Sequence, residues 1–279
     1  VEVDFPKLAA GTILLRNKPG RVDNIAAQVK KIVDPPSKKM GFKEALSLRG
    51  KISFAEGSTF CKLTGPLARL LAQWSTVSFP RPITSELELQ LRFAVKHLAG
   101  AGPRVVGPKR GDMPIIIFTD GACEEGPEGT SIGGVLLDGG VVECFGAQMS
   151  QQVIDSWKSR EDQLQVIGQA EVFPVLVSRL TWGTRLRGRN VIYFVDNESA
   201  RLALIKMYSP VLPTLEILMQ ITSWDFKEQS HPWYSRVPTY SNIADDPSRM
   251  CAKLLKESYK ARVVVPVFPV GVVPIAILK

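Results

Sequence analysis

Histidine and cysteine are scarce in this chain. Its 279 residues hold two histidines, His97 and His231, and four cysteines, Cys61, Cys123, Cys144 and Cys251, with no C-x-x-C pair among them. That scarcity argues against a zinc site, whose ligands are largely nitrogen and sulfur. Without a regular cysteine framework, reduced thiols and an intracellular setting are expected, with nucleus, cytoplasm and organelle left open. No signal peptide is visible, and the first residue, Val1, fits a processed product, a fragment or an incomplete chain. The apolar tail "ARVVVPVFPVGVVPIAILK" is interrupted by Pro266, Pro269 and Pro274, each of which removes a backbone donor from a would-be spanning helix. It reads as an extended segment packed on this protein or on a partner subunit, not as a membrane span.

Against those absences, 45% of the residues are hydrophobic and 22% charged, the balance of a globular chain able to bury a sizeable core. The length allows one large domain or two ordinary ones. A net charge of +8 and a sequence pI of about 9.4 are compatible with phosphate-rich partners wherever the cations cluster. Residues 1–111 read as mainly helical. In "RVDNIAAQVKKIV", Val22, Ile25, Val29 and Ile32–Val33 form one stripe, with Lys30 and Lys31 off it. "FKEALSLRGKISFA" and "GPLARLLAQW" are two more amphipathic helices. "ITSELELQLRFAVKHLA" is a fourth, with Ser85 placed to cap it and Leu87, Leu91 and Val95 on its stripe. The Gly-, Pro- and base-rich "GAGPRVVGPKRGDMP" marks a linker, so a second domain starts near residue 112.

Beyond it the texture changes. "IIIFTD" is a β-branched strand, and "GTSIGGVLLDGGVVECFGAQM" is a hairpin about Asp138-Gly139-Gly140. A helix follows from about Gln163 to Leu180, then strand "NVIYFVD", two helices, strand "PWYSRV", and a last helix opened by "RVPTYSNIADDPSR". The expectation is α/β: a mixed sheet flanked by helices over 112–252, a smaller mainly helical domain over 1–111, and an extended Pro- and Val-rich tail over 253–279.

Two acids end strands. Asp120 closes "IIIFTD" and Asp196 closes "NVIYFVD", so both carboxylates should emerge at the carboxyl edge of the sheet, where α/β sites gather. Either alone reads more readily as a turn or cap. Glu171 shares a helical face with Leu164, Ile167, Val175 and Ser178, an apolar stripe that should face the sheet. A carboxylate buried there is costly unless paired, protonated or metal-bound. The alternative is a rim position that meets an arginine. Asp245 and Asp246 suit a helix cap. Taken together, Asp120, Glu171, Asp196 and Asp245 at one edge would repel each other severely without cations, so a divalent metal site is expected. All-oxygen ligands suit Mg²⁺ or Mn²⁺ over zinc. Two such ions about 4 Å apart would activate a water and stabilise the departing oxygen of a phosphodiester.

This set of motifs resembles the ribonuclease H domain of reverse-transcribing retroelements. "FTDGA" looks like the first-strand motif, "QAEVFPVL" like the helix that carries the Glu, and "FVDNESARLALI" like the strand and helix around the third acid. "RVPTYSNIADDPSR" is similar to the N-x-x-A-D-x-x-S-R ending of retrotransposon members of DIRS or Gypsy type. The resemblance spans about residues 112–250. It implies a ribonuclease H-like five-stranded mixed sheet and hydrolysis of the RNA strand of RNA/DNA hybrids. It also implies two Mg²⁺ ions, with Mn²⁺ as a substitute, held by Asp120, Glu171, Asp196 and Asp245 as the catalytic residues, with Asp246 a neighbour. Residues before 111 look like reverse-transcriptase thumb and connection segments, but no Y-x-D-D hairpin of a polymerase palm occurs. Pro238-Thr239-Tyr240 holds no histidine where many members carry one, and Pro174, one turn after Glu171, threatens to bend its helix.

Backbone contacts to a hybrid are expected from Lys109, Arg110, Arg185, Arg187 and Arg189, and from Asn197 beside the third acid. Each cation taken alone reads somewhat more readily as solvated surface. Trp157, Trp182, Trp224 and Trp233 read as core or rim, and His231 has no assigned role. The rival function is a non-catalytic retroelement remnant that binds structured RNA as a subunit of a larger ribonucleoprotein, with the tail on other protein subunits. Four retained acids favour the nuclease, because a scaffold does not need clustered carboxylates. A plain fragment of a reverse transcriptase is the third reading.

Overall fold

The computed structural model of the chain describes residues 2–7, 11–59, 63–76, 79–107, 113–123, 129–158 and 166–279. The chain divides into two units, Val1–Gly111 and Asp112–Lys279. The first runs β1 (Glu2–Lys7), β2 (Thr12–Arg16), α1 (Arg21–Val33), β3 (Lys39–Met40), α2 (Phe42–Glu56), α3 (Gly65–Trp74), β4 (Arg81–Pro82), α4 (Ser85–Gly100) and β5 (Arg104–Val106). The expected stripe of α1 is its buried face, with Ile25, Val29, Ile32 and Val33 in the core and Lys30 and Lys31 in the last turn, where cations suit the helix dipole. Glu44 accepts from the Gly41 N–H at 2.8 Å and closes the start of α2. The cap of α4 is Thr84, one residue before the expected Ser85: its hydroxyl accepts from the Leu87 N–H.

The mainly helical expectation missed a sheet. β1, β2 and β5 pair antiparallel, and β5 lies inside the stretch read as linker. β5 has only three residues, too few to show an alternation, and its Gly- and Pro-rich flanks mimic a loop.

The second unit runs β6 (Ile115–Cys123), β7 (Thr130–Asp138), β8 (Val141–Met149), α5 (Gln151–Trp157), α6 (Ile167–Thr181), α7 (Gly183–Leu186), β9 (Asn190–Val195), α8 (Glu198–Lys206), α9 (Leu212–Glu228), β10 (His231–Arg236), α10 (Asp245–Ser248), α11 (Lys253–Tyr259), β11 (Arg262–Val263) and β12 (Pro274–Ile277). It has the expected mixed sheet with flanking helices, of seven strands rather than five. β6, β7 and β8 are antiparallel neighbours, and β9 and β10 continue parallel on the other side of β6. The hairpin turns at Gly139 and Gly140, both at positive φ, as a two-residue loop that follows the strand twist requires. The two extra strands come from the tail, which begins with a helix, α11, rather than as the extended chain expected. β11 and β12 both pair with β8.

α6 packs on β6 and β7 and against α8 and α9, while α10 lies on the sheet beside β6, β7 and β8. The ionic centre of the unit is Arg179 of α6, fully buried. Its guanidinium makes a paired contact with Asp225 of α9 at 2.7 and 2.9 Å and donates to the Tyr234 hydroxyl of β10 at 2.7 Å. Among the described residues no helix is long and apolar enough to cross a membrane.

Candidate active site

Strand register sets the first and third acids. β6 and β9 run parallel with Phe118 beside Phe194, their rings stacked 4.8 Å apart. Two residues further along each strand, Asp120 and Asp196 emerge next to one another at the carboxyl edge.

α6 delivers the second acid. Residues 169–179 of this helix are all buried. Glu171 is therefore interior because the whole helix is, and not because a single apolar stripe turns inward. It is 6% exposed. Pro174 leaves the helix unbroken. Its missing N–H would have bonded the Ala170 carbonyl, and that same carbonyl lies against Gly121, where a Cβ would come to 2.3 Å from it. Only glycine lets β6 pass so close, which is how Asp120 and Glu171 meet.

Both oxygens of Asp120 are held. The Ser248 hydroxyl donates to Oδ2 at 2.6 Å, and the Asn242 amide donates to Oδ1 at 3.2 Å and to the Thr119 carbonyl. The asparagine and serine of "NIADDPS" are thus clamps on the first acid, a role the sequence reading did not assign. Burial pushes the Asp120 carboxyl up to about 6, with Ser248 opposing the rise and the charges of Asp196 and Asp245 adding to it. Burial, then the neighbouring Asp120 and Asp196, push Glu171 up to about 9, although the Asn197 side chain hydrogen-bonds it.

Oxygens of Asp120, Glu171 and Asp196 lie within 4.8 Å of one another. Glu171 Oε2 and Asp196 Oδ1 are buried without a hydrogen-bond partner among the described residues. Buried polar atoms are rarely left so, and a hard divalent cation is what this all-oxygen set fits. Asp245 lines the same pocket of about 360 Å³, with Asn197, Thr239 and Arg249. It stands outside the three-carboxylate group, its Oδ1 accepting from Arg249 Nε at 3.1 Å. No side chain caps α10 by a hydrogen bond, but Asp245 and Asp246 both stand in its first turn, as acids at a helix start were expected to.

The other expected contacts sit elsewhere. Arg185 pairs with the buried Glu143 at 3.0 Å, Arg187 with Glu228 at 2.6 Å, and Arg189 with Asp138 at 3.3 Å. Arg189 precedes the first residue of β9 and Asp196 follows the last, so roughly 20 Å of strand separates them. Each of the three arginines thus carries a carboxylate partner, and Arg189 stands at the end of β9 away from the pocket. Asn197 is at the pocket, where its Oδ1 also caps α8 by accepting from the Ala200 N–H. Lys109 and Arg110 lie outside the described residues. Trp157 and Trp182 are core, whereas Trp233 is 70% exposed.

No family model matches the chain, and no curated protein sequence matches it. Solved structures similar to it include an RNase H1 from the halophilic archaeon Halobacterium salinarum, at 15% identity and a TM-score of 0.35, over 49% of this chain and 96% of that one. LC11-RNase H1 in complex with an RNA/DNA hybrid is similar at 17% identity and a TM-score of 0.35, over 49% of this chain and 95% of that one. The foamy viral protease-reverse transcriptase in complex with an RNA/DNA hybrid is similar at 10% identity and a TM-score of 0.35, over 82% of this chain and 50% of that one. At these values the likeness carries no statement about the chemistry of the pocket.

Proposed function

We propose that the carboxylate pocket hydrolyses the RNA strand of RNA/DNA hybrids with the help of Mg²⁺, two ions being held by Asp120, Glu171, Asp196 and Asp245, and that the chain descends from a retroelement of DIRS or Gypsy type. The observation that carries this reading is the convergence of three carboxylates within 4.8 Å with two buried oxygens left unpartnered. A purely structural cluster would have paired those oxygens with arginines, as Glu143 and Asp225 of this chain are paired. When bound, such ions supply an activated water and charge stabilisation for the departing oxygen. The protein's own part is orientation. Ser248 and Asn242 fix the rotamer of Asp120, Asn197 steadies Glu171, and Arg249 holds Asp245 at the mouth.

The test is cleavage of a labelled hybrid by the full chain with Mg²⁺ or Mn²⁺. Asp196→Asn keeps the volume and removes a ligand charge, so cleavage should fall by orders of magnitude while hybrid affinity holds or rises. An inert wild type that binds RNA in a salt-sensitive way would overturn the nuclease and support the non-catalytic ribonucleoprotein subunit.

A further inference from the structure

A groove of about 890 Å³ runs between α1 and α2, on elements that contribute nothing to the carboxylate pocket. Four cations line it: Lys18 and Arg21 at the entry to α1, Lys31 near its end, and Lys51 from α2. No acid is among the lining residues, and none of the four cations is ion-paired among the described residues. Lys51 donates to the neutral Gln28 at 2.8 Å. The Arg21 guanidinium lies 4.6 Å from the ring centre of Phe54, a groove residue that is 55% exposed. Gly50 of α2 also lines it, exposed, and an added Cβ there would meet nothing within 4 Å.

Four like charges along one groove repel each other. An anion that spans them removes the repulsion, and because Arg21 and Lys31 stand about 15 Å apart along the axis of α1, spanning them takes several phosphates rather than one. The exposed aromatic narrows the choice. In a duplex the base faces are covered by their neighbours, so a ring backed by a guanidinium offers its stacking surface only to an unpaired base.

We propose that the α1/α2 groove binds single-stranded nucleic acid, with phosphates on Lys18, Lys31 and Lys51 and one base on the Phe54–Arg21 pair. This goes beyond hybrid cleavage and does not depend on it. A strand held here is gripped by backbone and base face, so RNA and DNA should bind alike.

Fluorescence anisotropy of the full chain with labelled single strands of RNA and of DNA, and with a blunt duplex, tests the assignment across a range of salt. The triple variant K18A/K31A/K51A should lose ten-fold or more in affinity for both single strands. Its slope of log affinity against log salt should shrink by about 2, at about 0.7 per phosphate contact. Phe54→Ala should lose about ten-fold for single strands with the salt slope unchanged, and should bind the duplex as the wild type does. Single-strand affinity unchanged in both variants would overturn the site. Equal losses of Phe54→Ala on duplex and single strand would overturn the single-strand assignment.

Discussion

Glu171 is the residue on which the chemistry of the pocket turns, because its carboxyl is pushed up to about 9 and that of Asp120 to about 6. Without metal, the folded protein holds protons that the unfolded chain has already released above the ordinary carboxylate range. A raised folded-state value means stability that is complete below about pH 4.5 and is lost as pH climbs through about 6 for Asp120 and about 9 for Glu171. Metal-free protein should therefore unfold at progressively lower urea concentration between pH 5 and pH 9. Glu171→Gln, which copies the protonated form, should flatten most of that decline. A divalent ion must expel the proton to bind, so titration calorimetry at pH 7 in two buffers of different ionisation heat should show release of about one proton per site. Metal uptake with no proton release would show that Glu171 is not a protonated ligand in the metal-free protein.

Helix α6 carries Glu171 and Arg179 two turns apart, about 12 Å along its axis. The carboxylate faces the pocket, and the arginine anchors the helix to α9 and β10 through Asp225 and Tyr234. Removing one member of a fully buried pair strands the other charge, at a cost of about 3–5 kcal/mol. Arg179→Ala should lower the unfolding free energy of the second unit by that amount and move its urea midpoint down accordingly, read by tryptophan fluorescence. The double variant R179M/D225L should recover much of the loss, because neither charge is then left alone. A small effect of Arg179→Ala would mean that water reaches the pair. At this scale the sequence was readable wherever chemistry follows from local spacing. The strand-ending acids were, since a β-branched run that stops at Asp defines both strand and edge, and Glu171 was, since a carboxylate in an apolar helix is anomalous. What stayed hidden depends on contacts across the fold. Nothing local announces the partners of Arg185, Arg187 and Arg189, because Glu143, Glu228 and Asp138 meet them only after the sheet has formed. Likewise Asn242 and Ser248 become clamps only when the last turn reaches a strand more than 120 residues earlier, |i−j| being 122 and 128.

Across the whole second unit the sheet is finished at both sides. β10 carries Pro232, which lacks a backbone donor and belongs on an edge. β8 is covered by the tail, where β11 and β12 pair with it in turn and Arg262 joins Arg185 and Trp182 on the buried Glu143. Deleting residues 262–279 should bare that edge and loosen Glu143, so the shortened protein should elute as large aggregates in size-exclusion chromatography under conditions where the full chain does not. A shortened chain that remains monomeric would show that the tail is dispensable for edge protection. The Phe118–Phe194 stack, finally, bears on how such a sequence can drift over generations. Both acids are counted from it, two steps along each strand, so the stack works as a ruler. Almost any apolar pair could replace the rings, but inserting or losing one residue between the ring and the acid would turn the carboxylate to the opposite face. Lineages that keep the pocket are thus free to vary in letters and forbidden to vary in count.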